Sequence, residues 1–248
     1  MRVYCSYKKE FNEFLIAVVK LVIKEYGYNL NIKSLEEIEL VNKNVYSYPT
    51  DGRTIDKSKI IVTSRLYELL STFNIDQLKE DKNYISIKKT LYHEMGHVND
   101  MTLFPVLYNY GFSSNCKEQI ASQFWLEYIA EIRTVIFENW FDSSLCDDFV
   151  RKQWNCTMSS LDENFSDSNF AYLVKVMPYF MAGIRKSNSK DFYISKIKNA
   201  LLTNFIREID TELDILEERK PFDDVVILYE LYDILNKFYK LFMQEYKK

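Results

Sequence analysis

"TLYHEMGHVND", residues 90–100, holds His93 and His97, the only two histidines among 248 residues. Four residues along an α-helix bring side chains to within about 40° of one another on the same face, so both imidazoles can reach a single ion. Chance placement of two histidines four apart with a glutamate after the first is on the order of 6 in 10,000. Around the pair, Tyr84, Ile87, Leu91, Met95 and Val98 recur at helical spacing on the opposite side. That stripe predicts an amphipathic helix from about Tyr84 to Met101, buried by its apolar side, with the histidines and Glu94 on the other.

A hydrolytic zinc takes three protein ligands and leaves a fourth position for water. With no third histidine, the remaining ligand must be Asp, Glu or Cys. Leu103 stands six residues past His97, where a metzincin has its third histidine, so that arrangement is excluded. "LEYIAEIRT", residues 126–134, offers Glu127 and Glu131, again four apart, amid Ile120, Phe124 and Val135. Like charges at this spacing repel by a few tenths of a kcal/mol on a solvated helix, and more in apolar surroundings. A zinc ion bound by Glu127, with Glu131 accepting from the far nitrogen of a ligating histidine, relieves both carboxylates. The alternative is a solvated acidic pair, or one partnered by Arg133. Asp100, on the same face as His93, is a further acid near the ligands, and Gly96 in mid-helix leaves room for a close neighbour.

The rest of the chain is consistent with a globular protein. Hydrophobic residues make up 47%, with five Gly, four Pro, 19 Tyr and 17 Phe, which argues against disorder and against a loop-rich disulfide scaffold. A net charge of −4 speaks against a nucleic-acid footprint. Cys5, Cys116, Cys146 and Cys156 are scattered without a C-x-x-C pair, and are expected to be reduced. Glu13 and Lys20 interrupt the apolar N-terminal stretch, so Phe11, Phe14, Leu15, Val18, Leu21 and Val22 read as one face of a helix and not as a signal peptide. No apolar run reaches the roughly 18 residues of a membrane span. The expectation is a soluble, cytoplasmic chain with no membrane or nucleic-acid partner.

"EEIELV" (36–41), "NVYSY" (44–48) and "KIIVTS" (59–64) read as short strands with "PTDG" (49–52) as turn, giving a small mixed sheet confined to about residues 35–65. "RLYELLSTF" reads as helix, Pro105 and "NYGFSSN" as a break, and 116–141 as a long apolar helix carrying Glu127. Later segments keep helical period: Phe192, Ile194, Ile197, Leu201, Phe205 and Ile209, then Val225, Leu228, Leu235, Phe238 and Phe242 after the start signal "PFDD". Pro178 is expected to kink its helix. The fold class is α+β, mainly α, with a core over residues 1–141 and a helical region over 142–248.

His-Glu-x-x-His followed about thirty residues later by Glu-x-x-x-Glu resembles the gluzincin zinc peptidases. The order "KIIVTS", "RLYELL", motif helix and "EYIAE" resembles the minigluzincins and the catalytic part of HtpX-type proteases. "HEMGHVND" is also similar to the motif of the IrrE/ImmA-like and anthrax lethal factor-like peptidases. The resemblance covers roughly residues 36–140 and implies a zincin-like core, a Zn²⁺ cofactor held by His93, His97 and Glu127, Glu94 as catalytic base and Glu131 behind a histidine. Glu131 departs from the more usual Asp, and nothing in the pattern accounts for residues 142–248.

The implied activity is peptide-bond hydrolysis on a peptide or protein substrate lying along an exposed strand, "NVYSY" or "KIIVTS". Tyr108 and Tyr110 are candidate oxyanion donors, but among 19 tyrosines ordinary packing is the favoured explanation of both. Two rivals remain. A deformylase-like hydrolase would draw an upstream cysteine, for which only Cys5 is available. A non-catalytic zinc protein would bind a regulatory partner through its helices, but would have no use for Glu94 beside the ligands.

Overall fold

The computed structural model describes residues 1–47, 50–78, 81, 83–110, 116–134, 177–185, 190–195 and 200–246. Within them the protein is α+β and mainly helical, with one four-stranded mixed sheet. Two compact units are present, Met1–Leu103 and Phe104–Lys248. The expected boundary at 141/142 lies outside the described residues. None of the described helices is long and apolar enough to cross a membrane.

In the first unit, β1 (Arg2–Cys5), β2 (Glu37–Val41), β3 (Gly52–Asp56) and β4 (Lys59–Thr63) take the order β1-β2-β4-β3. β1 and β4 flank β2 in parallel, and β3 pairs antiparallel with β4 at the edge. Strand alternation sets which side is buried. Ile38 pairs with Ile60 and Leu40 with Val62, and all four are almost fully buried. Each contributes about 1.5–3 kcal/mol by leaving water. On the other face Lys59 Nζ reaches Glu37 Oε1 at 2.5 Å and Glu39 Oε2 at 2.7 Å, and Tyr4 donates to Glu37 at 2.9 Å.

α1 (Asn12–Tyr26) makes the crossover between the parallel strands β1 and β2 and buries Phe14, Leu15, Val18, Val19 and Val22. Phe11 is buried in the 3-10 turn ahead of it, and Val19 takes the place expected of Leu21 on the buried face. α3 (Tyr84–Leu103) buries the whole expected stripe of Tyr84, Ile87, Leu91, Met95 and Val98. Its start is anchored by Asp81, whose Oδ1 accepts from the Asn83 N–H at 2.8 Å. The other oxygen, Oδ2, accepts from the Ser71 N–H at 2.6 Å and the Ser71 hydroxyl at 2.5 Å. Pro105 bars the residue before it from continuing the helix, and itself opens α4 (Pro105–Tyr110) at the position proline tolerates best.

Several strand and helix expectations are corrected. The sheet is not confined to residues 35–65, because β1 pairs with β2 from the N-terminus. "NVYSY" is not a strand over its described part. The Asn42 side chain accepts from the Asn44 N–H at 2.9 Å and draws Lys43–Val45 into a 3-10 turn. The strand instead begins at Gly52, the last residue of the expected turn. The turn lies at Lys57–Ser58, where Asp56 Oδ1 accepts from the Ser58 N–H at 2.7 Å and closes the β3–β4 hairpin. "RLYELLSTF" supplies only the short α2 (Ser64–Tyr67).

The second unit contains α4, α5 (Cys116–Arg133), a helical segment at 177–185 and helices Lys190–Ser195, Ala200–Arg219 and Tyr229–Tyr246. Phe124, Trp125 and Tyr128 of α5 are fully buried in its core. On helix Ala200–Arg219, Leu202, Phe205, Ile206, Ile209, Leu213 and Leu216 make the buried stripe. Its flank carries Asp210, Asp214 and Glu217, which converge on Arg185: NH1 to Asp210 Oδ1 at 2.6 Å, NH2 to Asp214 Oδ1 at 2.5 Å and to Glu217 Oε1 at 3.3 Å. These partners offset the cost of burying the guanidinium. Val225, Leu228, Leu235 and Phe238 are buried as expected, and Asp224 of the start signal accepts from the Val226 N–H at 2.9 Å. Phe192 is half exposed, so the expected period does not extend to it. Ile197, the Phe242 side chain, residues 170–176 of the segment around Pro178 and the C-terminal part of the expected 116–141 helix lie outside the described residues.

Candidate metal centre

One turn of α3 separates His93 from His97, and their Nε2 atoms lie 3.1 Å apart with the rings nearly perpendicular at 85°. Two imidazoles on one tetrahedral zinc, with Zn–N near 2.0–2.1 Å, place their nitrogens about 3.3 Å apart. A direct N–H···N hydrogen bond has a similar length, so the distance alone does not distinguish the two cases. One ligand atom each from His93, His97 and Glu127 lies within 4.8 Å of the others, a grouping that could hold a metal ion. Two neutral nitrogens and a carboxylate are a donor set that suits a divalent transition metal such as zinc. Both histidines are buried and Glu127 is half-buried. Among the described residues no other group of His, Cys, Asp and Glu meets the same test.

Glu127 rides on α5, where Tyr179 donates to its Oε2 at 2.6 Å. Glu131, one turn on, is buried, and its carbonyl accepts from the Thr134 hydroxyl at 2.7 Å. Asp100 is fully buried near the end of α3 and accepts from Asn99 Nδ2 at 3.2 Å. The Asn99 side-chain oxygen Oδ1 in turn accepts from the Asn31 N–H at 2.8 Å. These bonds tie the end of α3 to the loop after α1.

Glu94 is buried beside the two histidines. In β3 the direct partners of the buried Ile60 and Val62 are Thr54 and Gly52, so both lie on the helix-facing side of the strand. Thr54 Oγ1 accordingly stands 2.7 Å from Glu94 Oε2 and 2.9 Å from the Glu94 carbonyl oxygen. A Cβ at Gly52 would fall 2.9 Å from Glu94 Cγ, Glu94 Oε1 and Thr90 Cγ2. The turn chemistry of residues 49–52 obscures the strand that brings Gly52 and Thr54 to Glu94. The alternation in "GRTID" was the one available signal. Nothing local pointed to Tyr179.

Of the other candidates, Cys5 is buried in β1 with its sulfur accepting from the Lys8 N–H at 3.2 Å, and it is not in the metal group. Tyr108 is half-buried in α4 and packs on the core of the second unit. The Tyr110, Cys116, Cys146 and Cys156 side chains lie outside the described residues. No family model matches the chain, and neither a curated protein nor a solved structure matches it.

Proposed function

We propose that the chain is a zinc-dependent peptidase in which His93, His97 and Glu127 hold the metal and Glu94 is the general base. The observation that carries the reading is the grouping of two imidazoles and a carboxylate, with a second, non-ligating carboxylate next to the first histidine. A site that only holds zinc gains nothing from a buried glutamate at that position. Zinc, when bound, supplies Lewis acidity, lowering the pKa of water toward neutrality and polarising a carbonyl.

The chain's own groups do the rest. Glu94, oriented by Thr54, takes a proton from the attacking water and passes it to the leaving amine as the C–N bond breaks. The Tyr179 hydroxyl fixes one oxygen of Glu127. The strand proposed to pair with substrate is a different one from those expected. β4 is paired on both sides and "NVYSY" turns away, so neither has an open edge. Among the described strands the open edges belong to β1 and β3, and β3 is the one that touches Glu94. An extended peptide pairing with β3 is the proposed substrate pose.

The test is a diverse peptide library incubated with zinc-loaded protein and read by mass spectrometry, with Glu94→Gln as control. Cleavage by the parent and not by the variant supports the reading. Silence of the zinc-loaded parent at high enzyme concentration favours a non-catalytic zinc protein that binds a partner.

A further inference from the structure

On the reading of Glu94 as the general base, we propose that Thr54 of β3 is its positioning residue, and that Gly52 two residues earlier holds open the space the carboxylate fills. A glutamate side chain has three rotatable bonds, and a proton acceptor misplaced by about 1 Å loses on the order of a hundredfold in rate. Three features of the first unit restrict it. The hairpin closed by Asp56 fixes the register in which Thr54 opposes Ile60 and Gly52 opposes Val62. That register turns Thr54 and Gly52 toward α3 together. The Thr54 hydroxyl then lies 2.7 Å from Oε2, the length of a charge-assisted O–H···O⁻ bond.

Gly52 contributes by what it lacks. Any Cβ there meets Glu94 at Cγ and at Oε1, both at 2.9 Å, and meets the short Thr90 side chain at the same distance. The Glu94 carboxylate is the mobile party, so even alanine displaces it. β3 thus holds Glu94 from both sides, by a donor to Oε2 and by a gap beside Oε1. Strand and base become one unit, and the residue that precedes the attack geometry in sequence by 40 positions sets it in space.

The experiment has two arms on the full-length chain. In the first, metal-free protein is unfolded by heat as parent, Thr54→Val, Glu94→Ala and the double variant. Valine keeps the shape and strand propensity of threonine and removes the hydroxyl. The Tm loss caused by Thr54→Val is expected to shrink in the Glu94→Ala background, where only the contact with the backbone carbonyl of residue 94 is left to lose. Simple additivity overturns the contact, whatever the chain catalyses. In the second, zinc-loaded variants are assayed on a peptide selected from the library by cleavage with the parent. Thr54→Val is expected to lower kcat by about tenfold or more with KM within about twofold, and Thr54→Ser to recover most of it. Zinc content is expected to stay unchanged, and Gly52→Ala is expected to show the same kcat loss. A fully active Thr54→Val overturns the positioning role alone. A zinc-loaded parent that cleaves nothing overturns the peptidase reading and the role with it.

Discussion

The Tyr179 hydroxyl donates to Glu127 Oε2 at 2.6 Å, linking residues 52 apart in sequence within the second unit. A carboxylate with one oxygen so held is oriented before any ion arrives, which lowers the cost of ordering it on binding. Glu127→Ala is expected to lose most zinc affinity. Tyr179→Phe, which keeps the ring and removes the donor, is expected to weaken zinc by about 10–100-fold. Competition with a calibrated chelator measures both. Equal affinity in Tyr179→Phe and the parent would show that the bond does not serve the ligand, and full zinc retention in Glu127→Ala would move the third ligand elsewhere.

Glu94→Gln separates catalysis from metal holding. The amide keeps the side-chain shape and can still accept from Thr54, but it cannot take a proton from water. Turnover is expected to fall about a hundredfold or more, with zinc content and Tm close to the parent. His97→Ala is expected to lose the metal itself. Elemental analysis beside the peptide assay distinguishes the two, and an active Glu94→Gln variant would remove the residue from the mechanism.

Asp81 gives the first unit a defined acid sensitivity. Bonds from the Ser71 hydroxyl, opposed by burial and aided by the Ser71 and Asn83 N–H groups, hold its carboxyl below the ordinary aspartate value of 3.8. A depressed folded-state pKa means that the stabilisation is complete above the unfolded value and is lost as pH falls through the folded one. Asp81→Ala is therefore expected to be about 1–2 kcal/mol less stable than the parent at pH 7, and the gap to close below about pH 4. Urea unfolding of both proteins from pH 7 to pH 3 checks it, and a gap independent of pH would refute it.

Ser122 is fully buried on α5, and among the described residues its hydroxyl has no hydrogen-bond partner. An unpaired buried hydroxyl costs about 1–3 kcal/mol relative to solvent, and alanine is the better helix former. Ser122→Ala is expected to leave stability unchanged or raise it by about 1 kcal/mol, an unusual sign for a core substitution. A clear loss in chemical denaturation would mean that the hydroxyl has a partner in solution.

Helix α3 was legible to within two residues at its end. Its stripe repeats every three to four residues, so period, start and the shared face of His93 and His97 follow from backbone geometry alone. β2 and β4 were legible for a similar reason, as apolar runs bounded by turn residues. What escaped was whatever depends on a distant partner. β1 is four residues long and becomes a strand only by pairing with β2, more than thirty residues away. Residues 52–56 carry an alternation too short to outweigh the turn chemistry just before them, until β4 supplies its ladder. Sequence alone determined that two imidazoles share one helix face with a glutamate beside them, because local bonding within four residues enforces that geometry. Only tertiary structure decided which groups orient the two carboxylates, Thr54 for Glu94 across 40 residues and Tyr179 for Glu127 across 52. Contacts at such separations arise from sheet register and core packing, which no local period encodes.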